Sequence, residues 1–498
     1  MKTPILGSSY VARSVNAADN RMVNLFPEMV PEGGKEPAFL QRCPGLTELS
    51  TTITPGDIIR GLIYMGDSVY VVAGDTFYRL LLPDLTIADS GPVSGSPRSV
   101  SMAMNGTQVF VATDSFGYVY DIGTAALTEL APGIYPNFPG AGTVVFMDGY
   151  FVINEPGTNR VWVSALYDGL TWSGTAFASA ERSPDEVVAL AALNGELWVL
   201  GGSTTEVWYN AGTPNFPFAP IQGAFSQVGC ASPYSIAILD NSIYWVGSDS
   251  LGSGIVFKSR GYSGERVSTH YIEDSIQANP YTTPFNFLAN CVAYAYQRNG
   301  HSFYVLNLAD GDGTPGASVD VTFVYDAATQ VWHERQSINP NTDTLDHHWG
   351  RCYTFVGNPD YPSYGIVGSY FGGLYTFTDT NPGDGPYPQF WLRSWSALSP
   401  GANNLNRSTH HSLQLDCTTG LSAGDPEVKL RWSDDGGNTW SNYRTGSLGS
   451  FGDYSKRVIW RRLGMTLKLR DRVYEISGFD NSLLFIMGAE LHASLTSA

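Results

Sequence analysis

Leu190-Ala191-Ala192-Leu193-Asn194-Gly195-Glu196-Leu197-Trp198-Val199-Leu200 is an apolar strand, a two-residue turn and a second apolar strand. Asn-Gly between such runs predicts a hairpin, because a tight type I′ turn needs φ > 0 at both central residues and Asn and Gly tolerate it best. The unit recurs. Gly61-Leu62-Ile63-Tyr64-Met65-Gly66-Asp67-Ser68-Val69-Tyr70-Val71-Val72 comes first, then Met102-Ala103-Met104-Asn105-Gly106-Thr107-Gln108-Val109-Phe110-Val111 and Val144-Val145-Phe146-Met147-Asp148-Gly149-Tyr150-Phe151-Val152. Turns at Asp240-Asn241 and Asn299-Gly300 continue the series. Gly66, Gly106, Gly149 and Gly195 are 40, 43 and 46 residues apart; Asn241 follows after 46 and Gly300 after 59. A period of ~40–50 residues with paired hairpins is that of a β-propeller blade. Second hairpins at 73–78, 113–120 and 202–209 fit four-stranded blades, and a partial unit at 347–377 would make a seventh. The expectation is an all-β chain with a body of six or seven blades over 56–377.

Around this body the composition changes. Residues 1–55 are punctuated by proline and read as an irregular N-terminal arm. One helix is expected within 265–280: Ile272 and Ile276 stand one turn apart, after Ser268-Thr269 and before Pro280. Residues 378–389 hold three prolines and two glycines and read as a linker. Beyond it, 390–498 reads as an antiparallel, sandwich-like β-domain, since Ser412-Leu413-Gln414-Leu415 and Val428-Lys429-Leu430-Arg431 alternate as half-buried strands do.

Of 498 residues, 54 are glycine and 29 proline, which excludes a helix bundle; 43% hydrophobic residues exclude global disorder. The first residues lack the apolar core of a signal peptide, so secretion by that route is not expected. Net charge is −18, a poor basis for sequence-independent DNA binding. The charge is uneven: residues 390–498 carry 12 basic and 10 acidic side chains, leaving residues 1–389 at −20. Cys43, Cys230, Cys291, Cys352 and Cys417 are scattered and odd in number, against a disulfide framework or zinc site.

Few stretches suggest chemistry. Ser433-Asp434-Asp435-Gly436-Gly437-Asn438-Thr439-Trp440 looks like the Asp-box hairpin of sialidases. In it Asp435 would accept backbone donors, Gly437 would supply an unusual φ and Trp440 would pack back on the turn. His347-His348 and His410-His411 invite a metal reading, but neighbours on a strand face opposite ways and no carboxylate spacing accompanies them. The expectation is a chain that is no enzyme and holds no cofactor or metal; an Asp-box glycoside hydrolase or glycan-binding receptor-recognition tail protein is the alternative. Residues 456–472 hold seven of the 28 basic side chains: Lys456, Arg457, Arg461, Arg462, Lys468, Arg470 and Arg472. Read as one strand, this segment puts Met465, Leu467, Leu469 and Val473 on one face. Lys468, Arg470 and Arg472 fall on the other, an edge that pairs with an acidic surface of a neighbouring subunit or lies near DNA, and that could be neutralised without unfolding the chain.

Lys456-Arg457-Val458-Ile459-Trp460-Arg461-Arg462-Leu463-Gly464 resembles the C-terminal signature of the packaged DNA stabilisation proteins of short-tailed phages, also called tail hub, nozzle or head-closure proteins. Val23-Asn24-Leu25-Phe26-Pro27, Arg42-Cys43-Pro44-Gly45-Leu46-Thr47 and the segment 268–276 resemble the same family, in the same order. The resemblance implies a propeller-like body and a homohexameric ring beneath portal and adaptor proteins, with needle, fibre or spike proteins below. It implies a virion protein made in the host cytoplasm that closes the head after packaging and passes DNA through its lumen without tight binding.

Overall fold

The computed structural model describes all residues except 12–18, 33, 51–52, 54–55, 96–97, 250–251, 279–290, 309–320, 359, 361–363, 398–406, 467–471 and 496–498. The fold is all-β, with one nine-residue helix among the described residues. The hairpin turns form where local chemistry places them. Asp148-Gly149, Asn194-Gly195, Asp240-Asn241 and Asn299-Gly300 all have positive φ at both positions, and the flanking residues pair directly, as Leu193 does with Glu196. Asn105-Gly106 differs. There Asn105 Oδ1 accepts the backbone N–H groups of Thr107 and Gln108, an Asx turn that widens the loop.

Seven sheets follow in chain order, over 59–92, 101–130, 144–179, 187–226, 229–266, 292–338 and 350–378. Their first strands pack side by side around an axis, and the first strand of the seventh, Gly350–Val356, packs on that of the first, Ile59–Met65. This is a closed seven-bladed propeller. Blade five is irregular: its innermost strand is split into Gly229–Cys230 and Ala237–Leu239 by a short 3₁₀ turn at Pro233–Ser235.

The chain before the repeats is not an irregular arm. Gly45–Ser50 supplies the outermost strand of blade seven, with Thr47 opposite Thr376 and Leu46 opposite Phe377. Gly45 is required there: a Cβ on it would stand 2.2 Å from Gly383 O and 2.3 Å from Asn381 O. Met22–Val23 joins the outer strand of blade six to Gln389–Ser396, so one continuous sheet runs from propeller into C-terminal domain. Leu25–Met29 and Ala38–Arg42 form two strands of that domain.

The C-terminal domain is a sandwich of two antiparallel sheets around Trp391, Trp395, Leu413, Leu415, Val428, Leu430, Trp460 and Ile476. Met22, Leu25 and Leu40 belong to the same core and are fully buried. At about 1.5–3 kcal/mol for each such side chain, the N-terminal segment contributes as much as the net stability of many domains. Buried arginines fasten it further: Arg393 Nε donates to Ile5 O at 2.6 Å, and Arg42 donates to Asp480 Oδ1 at 2.9 Å and to the carbonyls of Gln389, Asp480 and Ser482. The stretch 378–389 is also pinned. Asp384 is buried and accepts from Ser337 Oγ at 2.6 Å, while Gly385 N donates to Leu46 O.

The helix is His270–Ala278, with Ile272 and Ile276 buried against the strands of blades five and six; Pro280 lies outside the described residues. All five cysteines are free thiols.

Candidate subunit interface

The basic segment is not one strand. Val458–Met465 is a strand at the end of the sandwich sheet that, among the described residues, pairs only with Ser408–Cys417. Val458 and Trp460 point into the core, then the register slips opposite His410 and Ser412. Arg462 has φ +57° at this bulge, so Arg461 and Arg462 both face solvent and Leu463 returns to the core. Gly464 is also at positive φ, and Met465 ends up exposed rather than on the expected apolar face. Lys456, Arg457, Arg461 and Arg462 are all exposed, along and just before an edge strand with no second strand partner among the described residues. Arg444 crosses that edge: its Nη1 donates to Arg461 O at 2.8 Å and to Arg462 O at 3.1 Å.

Lys468 and Arg470 lie outside the described residues. Arg472 does not join the exposed set. It is 2% exposed and grips Asp434 with two bonds, Nε–Oδ1 at 2.6 Å and Nη2–Oδ2 at 2.7 Å, while Nη1 donates to Leu463 O. Burial disfavours its charge, but the Asp434 carboxylate and Tyr474 together more than offset this and hold its pKa above the ordinary value. The expectation that Arg472 faces solvent is corrected. Alternation carried through Met465 to Val473 treats the segment as one strand, but the strand Val458–Met465 ends at Met465 and Arg472 stands directly before a different strand, Val473–Asp480.

Asp434 belongs to the Asp-box, whose turn is held by hydrogen bonds among its own residues. Ser433 Oγ donates to Asp435 Oδ1 at 2.6 Å and accepts from Gly437 N at 2.8 Å. Thr439 donates its N–H to Asp435 Oδ1 at 2.8 Å and its hydroxyl to Oδ2 at 2.6 Å. Gly436 and Gly437 have φ of +70° and +97°. These bonds stabilise the ionised Asp435, Ser433 foremost, and hold its pKa down to about 2. Both carboxylate oxygens are occupied by the turn itself, which suits a structural brace rather than an acid or base.

Trp440 carries a guanidinium. Arg431 lies 4.4 Å from its ring centroid and 5.0 Å from that of Tyr443, with Nε on Glu475 Oε1 at 2.5 Å. Next to it, Trp432 stands between Arg444 at 4.9 Å and Arg472 at 5.5 Å. Such contacts are worth about 0.5–2 kcal/mol each. The sequence reading missed these contacts, which join residues of different strands and loops. Phe451 and Tyr454 are exposed separately, and their rings meet edge-on.

The histidine pairs are dispersed. His348 is buried and approaches Ser337 Oγ through Nδ1; His347 Nδ1 lies 3.0 Å from Asp346. His410 is buried between Ser408 Oγ and Tyr474 OH, whereas His411 stands beside Ser494 near the surface. Among the described residues no three His, Cys, Asp or Glu side chains form a metal-sized group.

Two family models match. The one described as Bacteriophage P22 Gp10, beta-propeller, covers residues 1–347, and the one described as Bacteriophage P22 Gp10, beta-sandwich, covers residues 394–494. No curated protein matches the chain. Among solved structures it is similar to the N-terminal domain of Nup159, at 14% identity and a TM-score of 0.41 over 70% of this chain and 98% of that one. BamB from Moraxella catarrhalis gives 12% and 0.37 over 72% and 99%, and the computationally designed Ika8 protein 13% and 0.39 over 67% and 99%.

Proposed function

The chain belongs to the bacteriophage P22 Gp10 family of structural phage tail proteins, and on that premise we propose that it is the ring-forming tail hub of a short-tailed phage. Copies assemble as a homohexamer that closes the head after packaging, retains the DNA and conducts it on ejection. Portal or adaptor proteins sit above the ring, and needle, fibre or spike proteins below. The protein works in the virion after synthesis in the host cytoplasm.

The observation that carries this reading is the exposed set Lys456, Arg457, Arg461 and Arg462 on a chain whose residues 1–389 are 20 charges negative. A basic edge on one copy suits an acidic surface on the next subunit or an adaptor. Bulge, charges and the Arg444 cap all obstruct strand addition at this edge, so the contact is made by side chains. Each exposed pair is worth only ~0–1 kcal/mol, and a ring repeats it at every junction. Negative charge elsewhere fits a conduit along which a polyanion must slide.

The test is a four-site variant with Lys456, Arg457, Arg461 and Arg462 changed to Gln. Its melting curve should match the wild type, while negative-stain images and mass in solution show lost rings or lost adaptor docking. Unchanged assembly would remove this edge from the interface. Tight, salt-sensitive binding of duplex DNA by the wild type, abolished in the variant, would overturn the role assigned to it.

A further inference from the structure

The last hairpin of blade three joins Arg160–Ala165 to Asp168–Ser179 through two apolar residues, Leu166 and Tyr167. Tyr167 has φ +55°, at a turn position that ordinarily takes Gly or Asn. The corresponding turn of blade one also sets an apolar residue at positive φ, Leu85 at +51°, but folds it into the core at 1% exposure. Leu166 and Tyr167 instead stand 57% and 60% exposed. They are held in place. Tyr167 N donates to Gly149 O at 2.6 Å, Asn105 Nδ2 donates to Tyr167 O at 3.0 Å, and the Tyr167 ring centroid lies 6.0 Å from that of Phe146. Leu166 lies over Gly149, where a Cβ would stand 2.7 Å from its Cδ1. An unfavourable backbone conformation thus keeps a fixed apolar knob in water. A preorganised anchor of this kind loses little freedom on docking.

A socket lies where blade six meets the sandwich. It is a cavity of about 260 Å³, floored by the buried Phe26, Phe303 and Leu484 and flanked by the half-buried Leu483 and Phe485. That is below the range of drug-sized ligands and of the scale of a side-chain anchor. Arg298 also lines it. Its Nε and Nη2 each donate to Asp379 at 2.8 Å, and its Nη1 has no partner among the described residues. The knob carries the opposite sign: between Val161 and Ser179 the one charged residue is Asp168, and Asp148 beside Gly149 is exposed.

Knob and socket are three blades apart in a circle of seven. Both open toward the face that carries the Asp148-Gly149 and Asn299-Gly300 turns, since Tyr167 bonds Gly149 and Asn299 lines the cavity. A chain therefore cannot fill its own socket. A contact between two unlike patches runs head to tail and generates a ring when its rotation closes.

We propose that Leu166 and Tyr167 of one copy dock into this cavity of the next, with Arg298 of the socket facing Asp168 of the knob, an assignment that rests on the ring-forming role above.

The experiment is mass in solution and negative-stain imaging of the full chain as wild type, as Leu166→Ser with Tyr167→Gly, and as Leu483→Glu. Glycine accepts the positive φ, so the knob variant should melt no lower than the wild type while association weakens at least about tenfold. Leu483→Glu places a carboxylate in the socket and should lose rings likewise. Mixed in equal amounts, the two variants should form dimers and nothing larger, because one intact knob meets one intact socket. If Leu483→Glu does not fold, the knob variant alone decides. Wild-type rings that persist in the folded knob variant would overturn the docking and leave the ring standing. A wild type that stays monomeric would overturn both.

Discussion

Arg472 and Asp434, 38 residues apart, meet in a two-pronged ion pair that ties the Asp-box turn to the carbonyls of Leu463 and Met465. The turn is thereby a brace between two sandwich sheets, since Asp434 follows the strand Glu427–Ser433 of one and Leu463 lies in the edge strand of the other.

Removing one partner leaves the other charge stranded. Arg472→Gln should cost about 3 kcal/mol of stability, read as a lower urea midpoint with an unchanged slope. Any variant meant to probe the basic edge must therefore spare Arg472. A midpoint equal to the wild type would mean that the pair holds nothing together.

Asp435→Ala removes the acceptor for Ser433 and both donors of Thr439. The melting temperature should fall by a few degrees. The folded-state pKa is depressed from 3.8 to about 2. This stabilisation is therefore complete above the ordinary carboxylate range and is lost as pH falls through it toward 2. Loss of a measurable glycosidase activity in a variant that melts like the wild type would refute the structural role.

His410 gives a second acid-sensitive contribution. Burial, with help from Arg472, lowers its pKa from 6.5 to about 3. The unfolded chain takes up the proton first, so stability is full above pH 6.5 and declines from there toward pH 3. Each pH unit in that window removes up to about 1.4 kcal/mol. His410→Gln, which keeps hydrogen bonding to Tyr474 and Ser408 feasible, should lose less stability than wild type between pH 7 and 4.5. Equal losses in the two proteins would show that His410 titrates normally.

Gly45→Ala forces a methyl group against the carbonyls of Asn381 and Gly383. These are backbone atoms of a pinned segment, so the strand must shift, at a cost of about 1–3 kcal/mol. Amide exchange should quicken in Gly45–Ser50 and its partner Leu374–Thr378 and stay slow in blades two to four. Uniform acceleration would mean that the whole propeller opens at once.

The blades were legible because their turns are local. Asn194-Gly195 specifies its own hairpin within a dozen residues, whatever the rest of the chain does. Gly45–Ser50 was not legible as a blade strand. Its partners lie more than 300 residues away, and no turn in sequence joins them. Arg472 was misread for a different reason: alternation holds only within one strand, and Arg472 lies past the end of Val458–Met465, directly before Val473–Asp480. The arginine–aromatic contacts are assembled across strands, from side chains whose meeting depends on the sheet rather than on their spacing.

The strand that closes the propeller, Gly45–Ser50, leaves the ribosome well before its partner, Leu374–Thr378. At roughly 5–20 residues per second, Thr47 waits on the order of 15–60 s for Thr376. During that interval blades one to six can form, but the circle stays open and the early strand has an unsatisfied edge. Ring closure is then a late, long-range event, governed by loop entropy rather than by the fast hairpins. Any surface that depends on the closed circle is completed only after that delay.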